Sequence, residues 1–300
     1  MFEVKNVNVE IKKRSILSDL SLKIPSGQIV GFLGPNGAGK TTTIYTCAGL
    51  YKKKSGSIMC NSTDQDLDYE NYLRNISIIF DNTSFYPQLS GLENIKQFLR
   101  IYGKVDINKI SEYVDLVGLS NRIHDNVSTY SLGMKQRLNL AISILRGTKM
   151  ILMDEPLNGI DPEGIIDMRK IITDLRNDLE YSFLISSHML KEIEQLADRI
   201  LMIRDGSIVD DFMIKDRNLE YHYILINNPE DLNQGIDVLR SRGVEFIKDN
   251  DYTIKISGIN NELSKCLRLL LDNGVSFSSV KTEKNIEKLY LEKMGGVDVE

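Results

Sequence analysis

Residues 34 to 41 read GPNGAGKT, fitting G-x-x-x-x-G-K-[ST], and the segments on either side restrict what the chain can fold into. Gln28 to Leu33 is an apolar run of strand length, and residues 40–50 carry apolar positions at helical spacing. A strand, a glycine-rich loop and a helix, in that order, form the first unit of an α/β fold. The glycines let the backbone curl so that successive N–H groups converge on phosphate oxygens, with the helix start adding its positive end. Lys40 is then expected to reach the terminal phosphates of a nucleotide and Thr41 to ligate Mg²⁺.

Such a loop needs a carboxylate for the metal at the end of a neighbouring strand, and MILMDEP supplies Asp154 after four apolar residues, followed directly by Glu155. Two consecutive acids at a strand end point different ways, so one can face the metal while the other faces an attacking water as general base. An exposed acidic turn is the plain alternative. His188 follows the apolar run FLISS at the carboxyl end of a predicted strand, where open α/β sheets build their sites. His124 and His222 lack such a setting and read as structural. In YSLGMKQRL, Ser131 reads equally as a helix N-cap and as the start of a second phosphate-binding helix.

Helical spacing from Leu89 to about Gly147, in IKQFLRIYG, INKISEYVDLVGL and MKQRLNLAISIL, marks a helical insert over about 84–146. Short strands return at Met150 to Met153, Ser182 to Ser186 and Ile200 to Ile203, with a helix over 163–179. RNISIIF reads as a strand running into Asp81 and Asn82. After about Asp216 the order becomes β-α-β-β-α-β, a ferredoxin-like arrangement closed by a last helix from Glu283. The expected domains are therefore 1–215 and 216–300. The second has no glycine-rich loop and reads as a packing or dimer-contact domain rather than a ligand sensor.

Composition excludes several classes. A net charge of −5 gives no general attraction to nucleic acid or anionic lipid, and Lys52-Lys53-Lys54 reads as a solvated turn. Cys47, Cys60 and Cys266 lie far apart without CxxC spacing, against both a disulfide framework and a zinc site. No window approaches 18 consecutive apolar residues, so no membrane span is expected. The alternating start MFEVKNVNVEIKKRS reads as a strand rather than a signal peptide, which implies an intracellular chain.

GPNGAGKT, YSLGMKQR, MILMDEP, LNGID at 157–161 and SSHML stand in the order and approximate spacing of the ATP-binding subunits of ABC transporters, and residues 2–213 resemble that family. The resemblance implies an α/β P-loop NTPase of ABC type in which Gly34, Pro35, Asn36, Gly37, Ala38, Gly39, Lys40, Thr41 and Thr42 hold ATP. It implies that Asp154 and Thr41 hold Mg²⁺, that Glu155 is catalytic, and that His188 is a switch histidine on the γ-phosphate side. Asp161 would close the loop after the catalytic acid, and Ser131, Gly133 and Gln136 would complete the nucleotide site of a second, identical subunit in a head-to-tail dimer. The further partners implied are separate transmembrane permease subunits that hold the protein at the cytoplasmic face of the membrane, with no nucleic acid. SLGMKQRL, ISSHMLKEIEQLADRI and the C-terminal tail are similar to exporters of the bacitracin-resistance and lantibiotic self-immunity branch, which remove antimicrobial peptides or related amphiphiles. A soluble ABC-type ATPase and a nucleotide-gated regulator share the motifs; DNA-repair members carry a long coiled coil and translational members two such halves, and this sequence has neither.

Two positions depart from the family pattern. Ile11 stands where an aromatic residue commonly stacks on adenine, which predicts weaker discrimination between ATP and GTP. Asp81 stands where a glutamine usually touches Mg²⁺ or water, and a carboxylate there predicts direct ligation with slower or more tightly gated hydrolysis. A loop-start cap is the plain alternative for Asp81.

Overall fold

Strand Ile29–Leu33 is buried at every residue, as an apolar run flanked on both sides in a sheet must be. In the computed structural model, which describes residues 1–81, 84–102, 107–215, 220–244, 246–257, 260–284 and 286–294, it lies third in a six-stranded sheet. The order is Ser207–Met213, Arg199–Arg204, Ile29–Leu33, Ser182–Ser187, Met150–Asp154 and Ile76–Ile79. The pairs within the last five strands run parallel, so their carboxyl ends share one edge. A separate antiparallel sheet joins Arg14–Ile24, Phe2–Ile11, Ser55–Cys60 and Thr63–Asp64.

Helix Lys40–Cys47 contributes Ile44 and Cys47 to a buried cluster that draws Phe2, Leu20 and Ile58 from the antiparallel sheet and Phe32, Leu152 and Leu184 from the parallel one. Its carboxyl end is tied down by side chains. Gln65 Nε2 donates to the Thr46 and Cys47 carbonyls at 2.9 and 3.0 Å, Tyr72 Oη to Cys47 O at 2.9 Å, and Tyr69 Oη to Ala48 O at 2.8 Å. These donors satisfy carbonyls that a helix end otherwise leaves open. The helix stops at Cys47, short of the expected 50, because Gly49 turns left-handed at φ 75 and ends it.

The helical insert comprises Gly91–Tyr102, Ile110–Leu116 and Leu132–Leu145. The first starts with a reciprocal cap: Ser90 N–H donates to Glu93 Oε2 at 2.8 Å, and Glu93 N–H to Ser90 Oγ at 3.2 Å. Several elements were not expected, among them the strands Ser55–Cys60 and Ser207–Met213 and the helix Tyr69–Asn75. Arg74 and Asn75 belong to that helix and not to the strand, which starts at Ile76. Asn82, Gly103 and Asp216, each named in the readings above, lie outside the described residues.

The chain divides into two compact units, Met1–Phe212 and Met213–Glu300. The second has the strand order Ile247–Asn250, Thr253–Ser257, Glu220–Ile226, Phe277–Lys284, all antiparallel, with helices Pro229–Ser241 and Asn260–Asp272 in the connections. This is the ferredoxin-like order, closed over Ile224, Leu239, Ile254, Cys266 and Leu270. His222 is fully buried there, its Nδ1 2.9 Å from Thr282 Oγ1. One boundary needs correction. Glu283 does not start the last helix; it pairs with Tyr221 in the strand, and the helix is Ile286–Met294. Ladder bonds along the whole of Glu220–Ile226 hold residues through Lys284 extended, where their acid and lysines suggested a helix start. No helix among the described residues is long and apolar enough to cross a membrane.

Gly31, in the central strand, has no room for a side chain: a Cβ there would collide with Ile193 Cγ2 and stand 3.4 Å from Ala197 Cβ. Gly31→Ala is expected to lower stability by about 1–3 kcal/mol, the scale of overpacking in a filled core. Thermal denaturation checks this, and in an Ile193→Ala background the same substitution should cost far less.

Candidate active site

Register alone brings the acids and the loop together. Leu33, the last strand residue before Gly34, is paired with Ser187, and Asp154 is paired with Ser186. The glycine-rich loop, the acidic strand end and the Ser187-His188 turn therefore meet at one edge of the sheet, the crevice that parallel α/β sheets offer to ligands. A cavity of about 300 Å³ lies there, lined by Pro35, Asn36, Gly37, Gly39, Lys40, Thr41, Thr42, Glu155, Asn158 and His188.

Gly37 and Gly39 sit at φ 84 and 111, a region closed to most side chains, and this curl turns the loop amides inward. Lys40 is buried; its Nζ donates to Gly34 O at 2.7 Å and Pro35 O at 3.3 Å and stands 3.6 Å from Glu155 Oε1. Gly34 and Ala38 are buried members of the loop.

Asp154 Oδ1 accepts from Ser186 Oγ at 2.7 Å and from Thr41 Oγ1 at 3.2 Å. Burial pushes the Asp154 carboxyl above the usual range; the Ser186 and Thr41 hydroxyls oppose this, while the like charges of Glu155 and Asp81 add to it. A buried acid disfavoured as an anion is a site that a cation relieves. The donors around it are all oxygen, a hydroxyl and carboxylates, which suits a hard cation such as Mg²⁺ completed by phosphate oxygens.

Glu155 has φ 48, a left-handed conformation unusual for a non-glycine residue. Its backbone N–H donates to Ser186 Oγ at 3.0 Å, which holds the turn. Its Oε2 accepts from the His188 N–H at 3.3 Å and lies 2.9 Å from His188 Nδ1. A carboxylate acceptor favours the tautomer with the proton on Nδ1, leaving Nε2 of a neutral ring as an acceptor. The arrangement sets a carboxylate, oriented by two basic side chains, at the wall of the cavity.

Other expected residues lie apart from that cavity. Ser131 is the exposed N-cap of helix Leu132–Leu145, its Oγ accepting from Met134 N–H at 3.2 Å, with Leu132 beside it exposed and Tyr130 buried. Gly133 packs so that a Cβ would stand 3.2 Å from Ile160 Cγ2, tying the helix start to the 157–161 loop. Gln136 is 2 % exposed, and its buried Oε1 has no hydrogen-bond partner among the described residues. Asp161 is the exposed N-cap residue of helix Pro162–Leu179. Ile11, at the end of its strand, is half-buried against the core, and Asp81, also half-buried, acts on Asp154 through its charge. Sequence reasoning missed Ser186, which bridges both acids, and Asn158; the only signals were the serine pair in FLISS and the asparagine within LNGID.

Comparison with known proteins gives the family. The ABC transporter family model matches residues 17–158, which include the loop and both acids. The chain is 38% identical over 296 residues to the uncharacterized ABC transporter ATP-binding protein YhcH of Bacillus subtilis, covering 98% of this chain and 96% of that protein. It is 33% identical over 287 residues to the bacitracin transport ATP-binding protein BcrA of Bacillus licheniformis, covering 92% of each. A solved ATP-binding subunit of an ABC transporter superposes with a TM-score of 0.66 at 21% identity, over 90% of this chain and 99% of that one. Sequence likeness along nearly the whole chain, on a fold that carries the loop and the acids at one sheet edge, makes this protein a member of the ABC transporter ATP-binding family and an ATPase.

Proposed function

We propose that the protein powers a bacterial exporter of antimicrobial peptides or related amphiphiles by hydrolysing MgATP between two copies of itself. The observation that carries the reading is the Glu155 carboxylate, held between Lys40 and His188 beside the phosphate cavity. In this reading the loop amides and Lys40 bind the phosphates, and Thr41, Asp154 and Asp81 would hold Mg²⁺, which supplies charge neutralisation at the terminal phosphate. Glu155 takes the proton of the attacking water as general base, and His188 keeps its carboxylate oriented. Ser131 and the amides around Gly133 close the partner's site, a use of the helix start that leaves the cap bond to Met134 as its resting state. The export class follows the bacitracin transport relative.

Permease contact is placed on the segment 84–90 that enters the helical insert, at the cytoplasmic face of the membrane. Asn94, fully buried, pins this segment by accepting from the Tyr86 N–H at 2.8 Å and donating to the Tyr86 and Ser90 carbonyls, which leaves the Tyr86 ring half exposed on a fixed loop. A DNA-acting ATPase with a long coiled coil is not favoured: among the described residues the helix Pro162–Leu179 is the longest, at 18 residues.

Glu155→Gln is expected to retain ATP binding and to lose about 10²–10⁴-fold in kcat, the usual contribution of a general base. Single-turnover hydrolysis and size-exclusion chromatography with MgATP check this, and a dimer trapped by the variant but absent with ADP supports the shared site. Cells carrying the permease and Glu155→Gln should be as sensitive to the exported peptide as cells without the transporter; undiminished protection would refute the export reading.

Ile11 predicts ATP and GTP affinities within about tenfold of each other, since hydrophobic contact replaces aromatic stacking on the base. Isothermal titration with both nucleotides decides it, and a strong ATP preference counts against the role given to Ile11.

The buried Asp154 makes a further prediction for the nucleotide-free protein. Its folded pKa is raised, so the folded state holds this proton more tightly than the unfolded chain, and stability is lost as pH rises through the folded value. Asp154→Asn keeps an acceptor for Ser186 and Thr41 and removes the charge. It should raise Tm at pH 7, with the gap closing in acid. A scan of Tm against pH in metal-free buffer tests it.

A further inference from the structure

Helix Lys40–Cys47 carries Tyr45 one turn beyond Thr41 on the same face, and the reaction described above gives that tyrosine no part. Its ring stands edge-on to Phe80, centroids 5.0 Å apart and planes at 83°, and lies 5.6 Å from the Tyr51 ring at 36°. Phe80 immediately precedes Asp81, so the contact grips the chain where strand Ile76–Ile79 delivers its acid. Strand Met150–Asp154 packs on the same helix. Burial raises the Tyr45 phenol, and the charges of Asp154, Tyr51 and Asp81 raise it further, which puts both carboxylates within electrostatic reach of this side chain.

Something must hold Asp81 near Asp154, because without a cation the two acids repel; Asp81 is among the charges that push the Asp154 carboxyl up. Edge-to-face aromatic packing is an attraction of the right kind and place. We propose that Tyr45 is a positioning residue of the metal site, its ring wedging the Phe80–Asp81 segment against the helix that bears Thr41, so that Asp81 stays beside Asp154 before the cation arrives. The inference rests on the reading of Asp81 as a metal-side acid. Ring packing carries the role, and the hydroxyl is secondary to it.

The test measures Mn²⁺ affinity by electron paramagnetic resonance with a non-hydrolysable ATP analogue bound, and separately the affinity for the analogue without metal. Tyr45→Phe keeps the ring and should bind Mn²⁺ within about twofold of the parent, while Tyr45→Leu should bind it about tenfold more weakly, the scale on which lost outer-shell support weakens a metal site. Phe80→Leu, which removes the other half of the contact, should reproduce Tyr45→Leu. All three should bind the metal-free analogue like the parent, which also shows that they fold. In an Asp81→Asn background, Tyr45→Leu should weaken Mn²⁺ binding no further. Equal losses with and without metal, or a full independent loss on top of Asp81→Asn, would overturn the proposal. If Asp81→Asn alone leaves Mn²⁺ affinity unchanged, the metal-side reading of Asp81 fails and this inference with it; if Asp81→Asn weakens binding and Tyr45→Leu does not, only the positioning role fails.

Discussion

The eight-residue helix Lys40–Cys47 is too short to persist in water by itself, and the site depends on what holds it in place. Gln65, Tyr69 and Tyr72 donate to the carbonyls at its carboxyl end, and Ile44 and Cys47 anchor it in the core. At its amino end no side chain among the described residues caps the N–H groups, and the positive end of the helix dipole faces the cavity. A helix fixed at one end by its neighbours presents the other as a rigid anion-binding surface. The antiparallel sheet and helix Tyr69–Asn75, which have no catalytic side chain, serve the site by supplying this grip.

Ser186 plays a similar part for the acids. Its hydroxyl donates to Asp154 and accepts from the Glu155 amide, so a single side chain sets the carboxylate that neighbours Thr41 and the strained turn that aims the next acid elsewhere. The left-handed φ of Glu155 would relax if that anchor were missing. Positioning here is done by one short, fully buried side chain on the adjacent strand.

Phosphate chemistry made much of the site legible in the sequence, because few residue types can curl a loop, hold a cation or activate water. The loop, the two acids and His188 could be read from spacing alone. Ser186 could not, since a serine ending a strand is ordinary and its meaning appears only once Asp154 is paired opposite it. Gln136 was expected to touch nucleotide and is buried within its helix, a position that the motif does not reveal. The strand Ser55–Cys60 escaped notice because a glycine at φ 90 interrupts its start and its pairing partner lies some fifty residues earlier, at Phe2–Ile11. Helix Tyr69–Asn75 buries only Tyr72, which is too little for a periodic signal. In the second unit, Glu283 looked like a helix start because sheet pairing with Tyr221 is a long-range fact.

Lys40 shows what this design means for turnover. Its ammonium holds the Gly34 and Pro35 carbonyls and neighbours Glu155, so the loop compensates its own charge. If Lys40 binds phosphate as proposed, taking one up exchanges one set of charge-assisted bonds for another, and affinity is the small difference between two large quantities. The same exchange runs backwards after the reaction. On the proposed reading, the Gly34 and Pro35 carbonyls take the ammonium back as the nucleotide departs, so that no buried cation is stranded.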